Sequence, residues 1–267
     1  MGVPIRRWLV GLGAVAAVGA SVISQGPMAA ASPAAVAGRA VAQAPAAPAY
    51  VPPGRVLSVG MHGTAVKDLQ RRLAALKYYP GKIDGEFGQN TIEAVWAFER
   101  VQGFVITAAN ANEIGIRVEK TLVHPRSPKV LVPRGGHNLR VEINLKTEVL
   151  VLYHHNKIEL ISHVSTGGGY YYQCPHSTAT CGPAITPTGN YRFLTYAPGW
   201  IQVPLGTMYN SSFFIGRAYA VHGDIPVPWY PASHGCVRIP MDIAAFFHKR
   251  VNFTTGSHKG TPVYIRG

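Results

Sequence analysis

The residues of this chain best suited to covalent chemistry are one cysteine and two histidines. Cys236 lies in the run Ser233-His234-Gly235-Cys236-Val237-Arg238, and His222 lies a short distance before that run. A thiol becomes a strong nucleophile when its proton is removed, and imidazole is a suitable base near neutral pH. Either histidine could be that base. We favour His222, because a residue at the end of a predicted strand can approach a neighbouring loop from across the sheet.

Two other residues of the same run fit this chemistry. Gly235 lacks a Cβ and permits a tight turn, which can aim successive backbone N–H groups at one point and so form an oxyanion hole. Such donors stabilise a tetrahedral intermediate by roughly 3–4 kcal/mol each. Arg238 would either support the loop or bind a carboxylate of the substrate.

Two other interpretations of Cys236 stay open on sequence grounds. Cysteine is often a buried apolar residue, and His234 would then be a surface turn residue. Alternatively, His222, His234 and Cys236 would bind zinc, with Asp224 or water as the fourth ligand. The spacing His-x11-His-x-Cys matches no common zinc motif. We therefore predict neither a metal nor a cofactor.

The N-terminus predicts export through a signal sequence at residues 1–31. An apolar stretch from Trp8 to Ile23 follows two arginines and precedes Ala29–Ala31, where we expect cleavage. An uncleaved membrane anchor is the alternative, although these 16 residues fall short of the roughly 20 that a spanning helix needs. The sequence thus predicts a secreted, extracytoplasmic protein.

Export makes the three cysteines informative, because an oxidising compartment tends to pair thiols. Cys174 and Cys181 are close in sequence and are expected to form a disulfide, which leaves Cys236 free. The alternative is a surface loop with two incidental cysteines, since the short separation permits pairing without requiring it.

The composition indicates a globular, basic protein. Of the 267 residues, 47% are hydrophobic and only 14% are charged, which excludes a disordered chain. The formal net charge is +13, and residues 125–267 contribute +8 of it (13 basic, 5 acidic). Such a surface favours polyanions. There is no Lys/Arg-rich run and no nucleic-acid motif, so nucleic acid is not an expected partner.

Hydrophobic patterning divides the rest of the chain into two folded parts. Residues 32–54 are rich in alanine and proline and predict an extended linker. The periodicity is helical over 55–124 and strand-like from about His137, after a short linker at 125–137. The expected fold is a small all-α module followed by a mostly-β domain at 138–267.

Two helices are expected in the first part. Their apolar stripes consist of Val66, Leu69, Leu73 and Leu76, and of Ile92, Val95, Trp96, Phe98 and Val101. Thr64 is expected to cap the first helix and Asn90 the second, with Glu93 reaching back to it. Pro80-Gly81 and Asp84-Gly85 predict turns between the two helices.

Short β-branched or aromatic segments predict the strands of the second part. These segments are Val141–Leu145, Val149–Tyr153, Ile158–Val164, Asn190–Leu194, Phe213–Ile215, Ala218–Val221 and Pro262–Ile265. The early segments predict an antiparallel hairpin. One helix is expected near Met241–His248, because Pro240 and Asp242 mark its start.

The first part resembles the small three-helix peptidoglycan-binding module. The resemblance is carried by Gly63-Thr64-Ala65-Val66, Leu69-Gln70 with Leu73, Asp84-Gly85-Glu86-Phe87-Gly88-Gln89-Asn90-Thr91 and Ala94-Val95-Trp96-Ala97-Phe98. Residues 103–122 depart from the family, because they lack a second Asp-Gly turn before the last helix. The resemblance implies binding to glycan strands of peptidoglycan, and a purely structural spacer is the alternative.

Residues 138–267 resemble the L,D-transpeptidase catalytic domain of the YkuD type, which has a β-sandwich-like fold. His222-Gly223 followed by Ser233-His234-Gly235-Cys236-Val237-Arg238 carries the resemblance. Further matches follow in the family's order at Val164–Gly167, Thr186–Gly189, Met208-Tyr209 and Gly260–Ile265.

This resemblance implies acyl transfer on peptidoglycan stem peptides. Cys236 would attack the bond between the diamino acid and the terminal D-Ala of a tetrapeptide stem, release D-Ala and form a thioester. A side-chain amine of a second stem would then resolve that thioester. His222 would be the base, Ser233 would position it or the loop, and the N–H groups of His234, Gly235 and Cys236 would hold the oxyanion.

The resemblance also implies a substrate path and a class of inhibitor. Met208 and Tyr209 would line the approach to the nucleophile, Gly223 would contact substrate, and carbapenems would acylate the cysteine. The aromatic insertion Tyr170–Cys181 is not a general family feature, and we expect it to lie over the cleft as a disulfide-pinned loop.

Two alternative functions remain beside that of an L,D-transpeptidase. The protein would be mainly an L,D-carboxypeptidase if water replaced the acceptor amine, or a noncatalytic wall-binding protein if Cys236 were structural. In all three cases the expected partners are the stem peptides and glycan strands of peptidoglycan, at a cell-wall-associated location.

Overall fold

The computed structural model of the protein describes residues 49–132 and 137–267. The predicted signal sequence at 1–31 lies outside the described residues, as does most of the predicted linker at 32–54. Over these two described ranges, no helix has both the length and the apolar character needed to cross a membrane.

The described residues form a helical module followed by a mostly-β domain, which confirms the predicted fold class. The helices are α1 (Thr64–Ala75), α2 (Gln89–Gln102), α3 (Ile116–Thr121) and α4 (Met241–Phe247). The strands of the first half are β1 (Leu57–Ser58), β2 (Glu113–Ile114), β3 (Arg140–Asn144), β4 (Val149–His154), β5 (Lys157–His163), β6 (Tyr172–Gln173) and β7 (Thr180–Cys181). The later strands are β8 (Gly189–Arg192), β9 (Thr195–Val203), β10 (Gly206–Ile215), β11 (Tyr219–Gly223), β12 (Val237–Ile239) and β13 (Pro262–Arg266).

The helical module contains the two predicted helices, but neither predicted cap is observed. Thr64 is the first residue of α1, α2 begins before Asn90, and neither helix has a capping hydrogen bond from a side chain. Glycines occupy both N-cap positions, so no side chain is present there to cap. Asn90 Nδ2 instead donates to Asp242 Oδ2 at 2.6 Å, and Glu93 is buried and accepts a hydrogen bond from Gln89.

Two sheets build the β domain. One has the strand order β5-β4-β3-β13-β8, and the other has the order β12-β11-β10-β9. The series β3–β4–β5 is antiparallel, as predicted, whereas β13 runs parallel to β3 and β12 runs parallel to β11. Apolar residues of both sheets and of α4 share one core, with Val141 and Val221 fully buried in it. The two sheets therefore form a sandwich.

The five-stranded sheet also buries its second face, against the helical module. Along β4, Leu150 and Leu152 join the core of the sandwich, whereas Val149, Val151 and Tyr153 join the core of the module. This division follows from the geometry of a strand, in which successive side chains point to opposite faces. The module and the β domain thus pack together through a common apolar interface.

Candidate active site

The pairing of β11 with β12 brings the predicted nucleophile and the predicted base to one cavity. In this parallel pair Val221 lies opposite Val237, and His222 lies opposite Arg238. Both valines are fully buried in the sandwich core, so their strand neighbours face the other side. Cys236 directly precedes β12, and together with His222 and Arg238 it lines a cavity of about 400 Å³.

His222 is oriented by a hydrogen bond to the adjacent backbone. Its Nδ1 lies 2.9 Å from the carbonyl oxygen of Gly223, and because a carbonyl only accepts, Nδ1 carries the proton of the neutral ring. Nε2 then keeps its lone pair. Burial lowers the pKa of His222 below its ordinary value, against the opposing effects of the Gly223 carbonyl and the Asp224 carboxylate. The ring is therefore neutral, and able to accept a proton, at neutral pH.

Cys236 is a half-buried free thiol whose Sγ lies 3.7 Å from the carbonyl oxygen of Ala218. Burial raises the pKa of the Cys236 thiol, and the backbone N–H of Ala220 and the Arg238 guanidinium offset part of that effect. A thiol with a raised pKa stays protonated at rest. Its reactivity therefore depends on a base in the same cavity.

Ser233 fixes the shape of the turn that carries Cys236. Its hydroxyl donates to the carbonyl oxygen of Cys236 at 2.5 Å and accepts the N–H of Gly235 at 2.9 Å. Of the two roles considered for Ser233, these bonds correspond to positioning the loop. They also use the Gly235 N–H, so of the three predicted oxyanion donors only those of His234 and Cys236 stay candidates.

Gly235 is required by its backbone conformation and by its surroundings. It has φ +133°, which L side chains rarely adopt, and an added Cβ would lie 2.7 Å from the carbonyl oxygen of Ile185. The Gly235 carbonyl accepts a hydrogen bond from Thr186 Oγ1 at 2.8 Å, and this oxygen in turn accepts the N–H of Gly167 at 2.9 Å. Thr186 thus ties the turn to the segment that follows β5.

Arg238 is already paired. Its Nε donates to Asp224 Oδ2 at 2.9 Å, with both side chains mostly buried. The sequence predicts that Arg238 either supports the loop or binds a carboxylate of the substrate. This ion pair corresponds to support of the loop. Asp224 was considered only as a zinc ligand, and no sequence signal identified it as the partner of Arg238.

His234 faces an aromatic wall. Its ring centroid lies 4.6 Å from that of Tyr172 and 5.5 Å from that of Tyr170, in edge-to-face arrangements. Burial and the nearby Arg238 guanidinium lower the pKa of His234. This histidine lines the cavity too, but it packs as part of the wall.

The wall belongs to the insertion after β5, which forms the hairpin β6–β7. A disulfide joins Cys174 to Cys181, and the two short strands pair antiparallel. Tyr172 and Pro175 of this hairpin line the cavity that contains Cys236. The predicted disulfide is thus present, and the insertion, which was expected over the cleft, forms part of the cavity wall.

Of the three predicted substrate contacts, only Met208 lines the cavity. Tyr209, its neighbour on β10, packs against Trp200 with ring centroids 5.4 Å apart, because adjacent strand residues face opposite sides. Gly223 lies under α4, where a Cβ would come within 2.7 Å of the side chain of Ala244. Tyr209 and Gly223 therefore pack beside this cavity rather than line it, and their contact with substrate stays a prediction.

The side chains considered as zinc ligands are not arranged around a common point. His222 Nδ1 is bonded to a carbonyl, the His234 ring packs on tyrosines, and Asp224 is paired with an arginine. Across 49–132 and 137–267, no three His, Cys, Asp or Glu side chains gather as a metal site would require.

Two turns that line the cavity were not predicted from the sequence. The turn Arg217–Tyr219 and the β9–β10 turn at Val203–Leu205 both line it. Neither turn carries a recognisable motif, and strand register alone brings them beside Cys236.

The chain matches two protein-family models. The model of the L,D-transpeptidase catalytic domain matches residues 138–265, and the model of a peptidoglycan binding domain matches residues 62–108. No curated protein matches the sequence.

Among solved structures, the chain is similar to an L,D-transpeptidase from Xylanimonas cellulosilytica, with 30% identity and a TM-score of 0.68. That similarity covers 79% of this chain and 98% of the other. An L,D-transpeptidase from Stackebrandtia nassauensis is 18% identical, with a TM-score of 0.43 and coverage of 79% and 97%. One from Mycobacterium smegmatis is 16% identical, with a TM-score of 0.36 and coverage of 49% and 59%. Similarity as low as that of the last two carries no functional argument.

Proposed function

Because the chain belongs to the L,D-transpeptidase family, we propose that Cys236 is its acyl-transfer nucleophile and that His222 is the general base. The observation that carries the proposal is that Cys236 and His222 line one cavity, with His222 Nδ1 hydrogen-bonded to the Gly223 carbonyl so that Nε2 is the nitrogen left to act as a base. The protein is then an enzyme that forms cross-links between peptidoglycan stem peptides.

The first half-reaction cleaves the donor stem. His222 Nε2 takes the thiol proton while Sγ attacks the carbonyl carbon between the diamino acid and the terminal D-Ala. The oxyanion of the tetrahedral intermediate is stabilised by backbone N–H donors, for which His234 and Cys236 are the candidates. His222 then gives its proton to the amine of D-Ala, which leaves, and a thioester remains.

The second half-reaction transfers the acyl group. The side-chain amine of a diamino acid in a second stem loses a proton to His222 and attacks the thioester carbon. Collapse of the intermediate expels the thiolate, which takes the proton back. The product is a direct amide link between two diamino acids, and both half-reactions share one site.

The helical module is proposed to hold the enzyme on its polymeric substrate. Its match to a peptidoglycan binding domain supports this role. Binding to glycan strands would raise the local concentration of stem peptides. The excess positive charge of residues 125–267 suits a wall rich in carboxylates and phosphates.

A wall substrate requires export, and the signal-sequence pattern at residues 1–31 supports that requirement. We therefore propose a secreted protein associated with the cell wall. Carbapenems are proposed as covalent inhibitors, because their strained lactam carbonyl would accept the same thiol.

Replacement of the nucleophile tests the proposal. Cys236→Ala should reduce D-Ala release from a soluble tetrapeptide by about a thousandfold or more, because the attacking atom is lost. The measurement is mass spectrometry of purified protein and products, with donor and an acceptor amine present. Wild type should also gain the mass of one carbapenem, and Cys236→Ala should not.

Three outcomes separate the alternatives. Undiminished D-Ala release by Cys236→Ala contradicts the assigned nucleophile. Only tripeptide, even at high acceptor concentration, indicates a carboxypeptidase. Absence of both D-Ala release and a carbapenem adduct in folded wild type indicates a noncatalytic wall-binding protein.

A further inference from the structure

The nucleophile lies at the end of a long irregular loop. Residues 224–236 connect β11 to β12 without a helix or a strand, and both ends of this loop line the cavity. An isolated bridge joins Ser233 to Gly167, but no strand ladder runs along the loop, so hydrogen bonds to its backbone help to fix its position. We call residues 228–233 the approach segment, since they lead into the turn at Cys236.

The carbonyl groups of the approach segment accept hydrogen bonds almost one after another. The donors are His163 Nε2 to Pro228 (2.8 Å), Arg100 Nη2 to Trp229 (2.5 Å), Ser165 Oγ to Tyr230 (2.8 Å), the Tyr170 hydroxyl to Ala232 (3.2 Å) and the Gly168 N–H to Ser233 (3.0 Å). Four of these donors belong to the catalytic domain. Arg100 belongs to the helical module.

Arg100 lies on α2, the helix that packs directly on the catalytic domain. On the same helix, the Trp96 ring meets the His163 ring edge to face, with centroids 5.3 Å apart. The Trp229 side chain packs against the apolar core of the module. Helix α2 therefore contacts the approach segment directly, through Arg100, and indirectly, through the packing of Trp96 on His163.

The Arg100 bond is suited to holding a backbone in place. The side chain is half-buried, and a charged donor makes a stronger hydrogen bond than a neutral one. Burial lowers the pKa of Arg100, and the neighbouring carboxyl groups of Glu148 and Glu99 oppose that effect. Ser233, which shapes the turn at Cys236, is the last residue of the same segment.

We propose that Arg100 is a positioning residue for catalysis, through which the helical module fixes the loop that presents Cys236. This inference rests on the proposed role of Cys236 as nucleophile. It gives the module a second task beside wall binding. The task would be needed even for a soluble substrate, because it concerns the geometry of the cavity.

The test compares two replacements of Arg100 with a matched control. Arg100→Met keeps much of the side-chain volume and removes every donor, whereas Arg100→Lys keeps the charge and one donor group. Arg71→Met is the control, because Arg71 is exposed on α1 and, among the described residues, pairs with Asp68 alone. All three are measured on a soluble tetrapeptide with an acceptor amine, so that binding to the wall plays no part.

We expect Arg100→Met to lower kcat by about tenfold with KM nearly unchanged, which corresponds to about 1.4 kcal/mol in the barrier. Arg100→Lys should recover part of the loss, and Arg71→Met should resemble wild type. Sedimentation with isolated cell walls should be equal for all variants. Hydrogen exchange should quicken in residues 224–236 and stay unchanged in α2 and β10.

Two results would overturn the proposal. The first is wild-type kcat in Arg100→Met. The second is a loss of kcat accompanied by faster exchange throughout α2, which would mean general destabilisation. Wild type and Cys236→Ala are measured in the same series. An inactive wild type or an active Cys236→Ala would contradict the proposed function itself, and neither result would be mistaken for a failure of the role of Arg100.

Discussion

Two arginines line the cavity around Cys236, and they differ in their partners. Arg238 is committed to Asp224. Arg217 is exposed, lies with Cζ 5.3 Å from the ring centroid of Phe213, and forms no ion pair with any described residue. It directly precedes Ala218, whose carbonyl oxygen is 3.7 Å from Sγ. Arg217 is therefore the cation best placed to meet a carboxylate of the donor peptide.

Replacement of Arg217 tests that assignment. Arg217→Gln should raise KM for a tetrapeptide ending in a free carboxylate by about tenfold, because a charge-assisted hydrogen bond is lost. A donor ending in a carboxamide should show little change. Arg126→Gln is the control, because Arg126 is exposed in the short linker that follows the helical module. Equal effects of Arg217→Gln on both donors in steady-state kinetics would contradict the assignment.

At the scale of single residues, the reactive side chains were easier to predict from the sequence than the residues that surround them. Cys236, Gly235 and Ser233 lie in one short run, so the chain itself keeps them close together. The partner of Arg238 is distant in sequence and depends on how the loop folds back. The packing of Tyr209 on Trp200 was also not predictable, because the side of the sheet that a β10 residue faces depends on a strand register that no local pattern encodes.

At the scale of elements, the hairpin β6–β7 is the part of the cavity wall most specific to this chain. It contributes Tyr172 and Pro175 to the lining, and its aromatic rings pack on His234. Two strands of two residues each supply few ladder hydrogen bonds, and so short a hairpin is not stable by itself. The Cys174–Cys181 disulfide therefore carries much of the task of holding this wall in place.

Removal of the disulfide should loosen the wall. The double replacement Cys174→Ser and Cys181→Ser should lower kcat/KM for the tetrapeptide by about threefold to tenfold, while iodoacetamide should alkylate Cys236 faster. Thr178→Ala, in the exposed part of the same insertion, is the control. Unchanged kinetics and an unchanged alkylation rate in the double variant would show that the hairpin holds without its crosslink.

The elements themselves were predictable where their patterns were simple. The β3–β4–β5 series, β13 and α4 lie close to where their apolar patterns indicated. Strand β9 was missed, because Pro198-Gly199 interrupts it and such a pair usually signals a turn. Its long pairing with β10, which places the β9–β10 turn at the cavity, outweighs that local signal.

At the scale of the whole molecule, the five-stranded sheet is a shared inner layer. Its strand β4 is apolar at every position from Val149 to Tyr153, a pattern typical of a strand buried on both faces. The pattern alone could not tell which part of the chain covers the second face. In the structure the helical module covers it, and Ile161 N–H also donates to the carbonyl of Lys77 at 2.8 Å.

A common interface predicts joint unfolding. Val151→Ala removes buried methyl groups at that interface and should lower the free energy of unfolding by about 2 kcal/mol. Hydrogen exchange should quicken in α2 as well as in β4, because both lose the same contacts. Val105→Ala makes the same chemical change at a site that is 76% exposed, and it should have little effect. Two separate unfolding transitions, with only β4 affected, would contradict joint unfolding.

The contact between α2 and the approach segment also limits how this protein can be recombined. A fragment cut at the linker between the module and the sandwich would lose the donor to Trp229 and would expose Val149, Val151 and Tyr153 to water. A graft of a foreign wall-binding module would have to supply an equivalent arginine and a complementary apolar helix face. A recombinant enzyme is therefore expected to keep its activity when the two parts are transferred together as a matched pair.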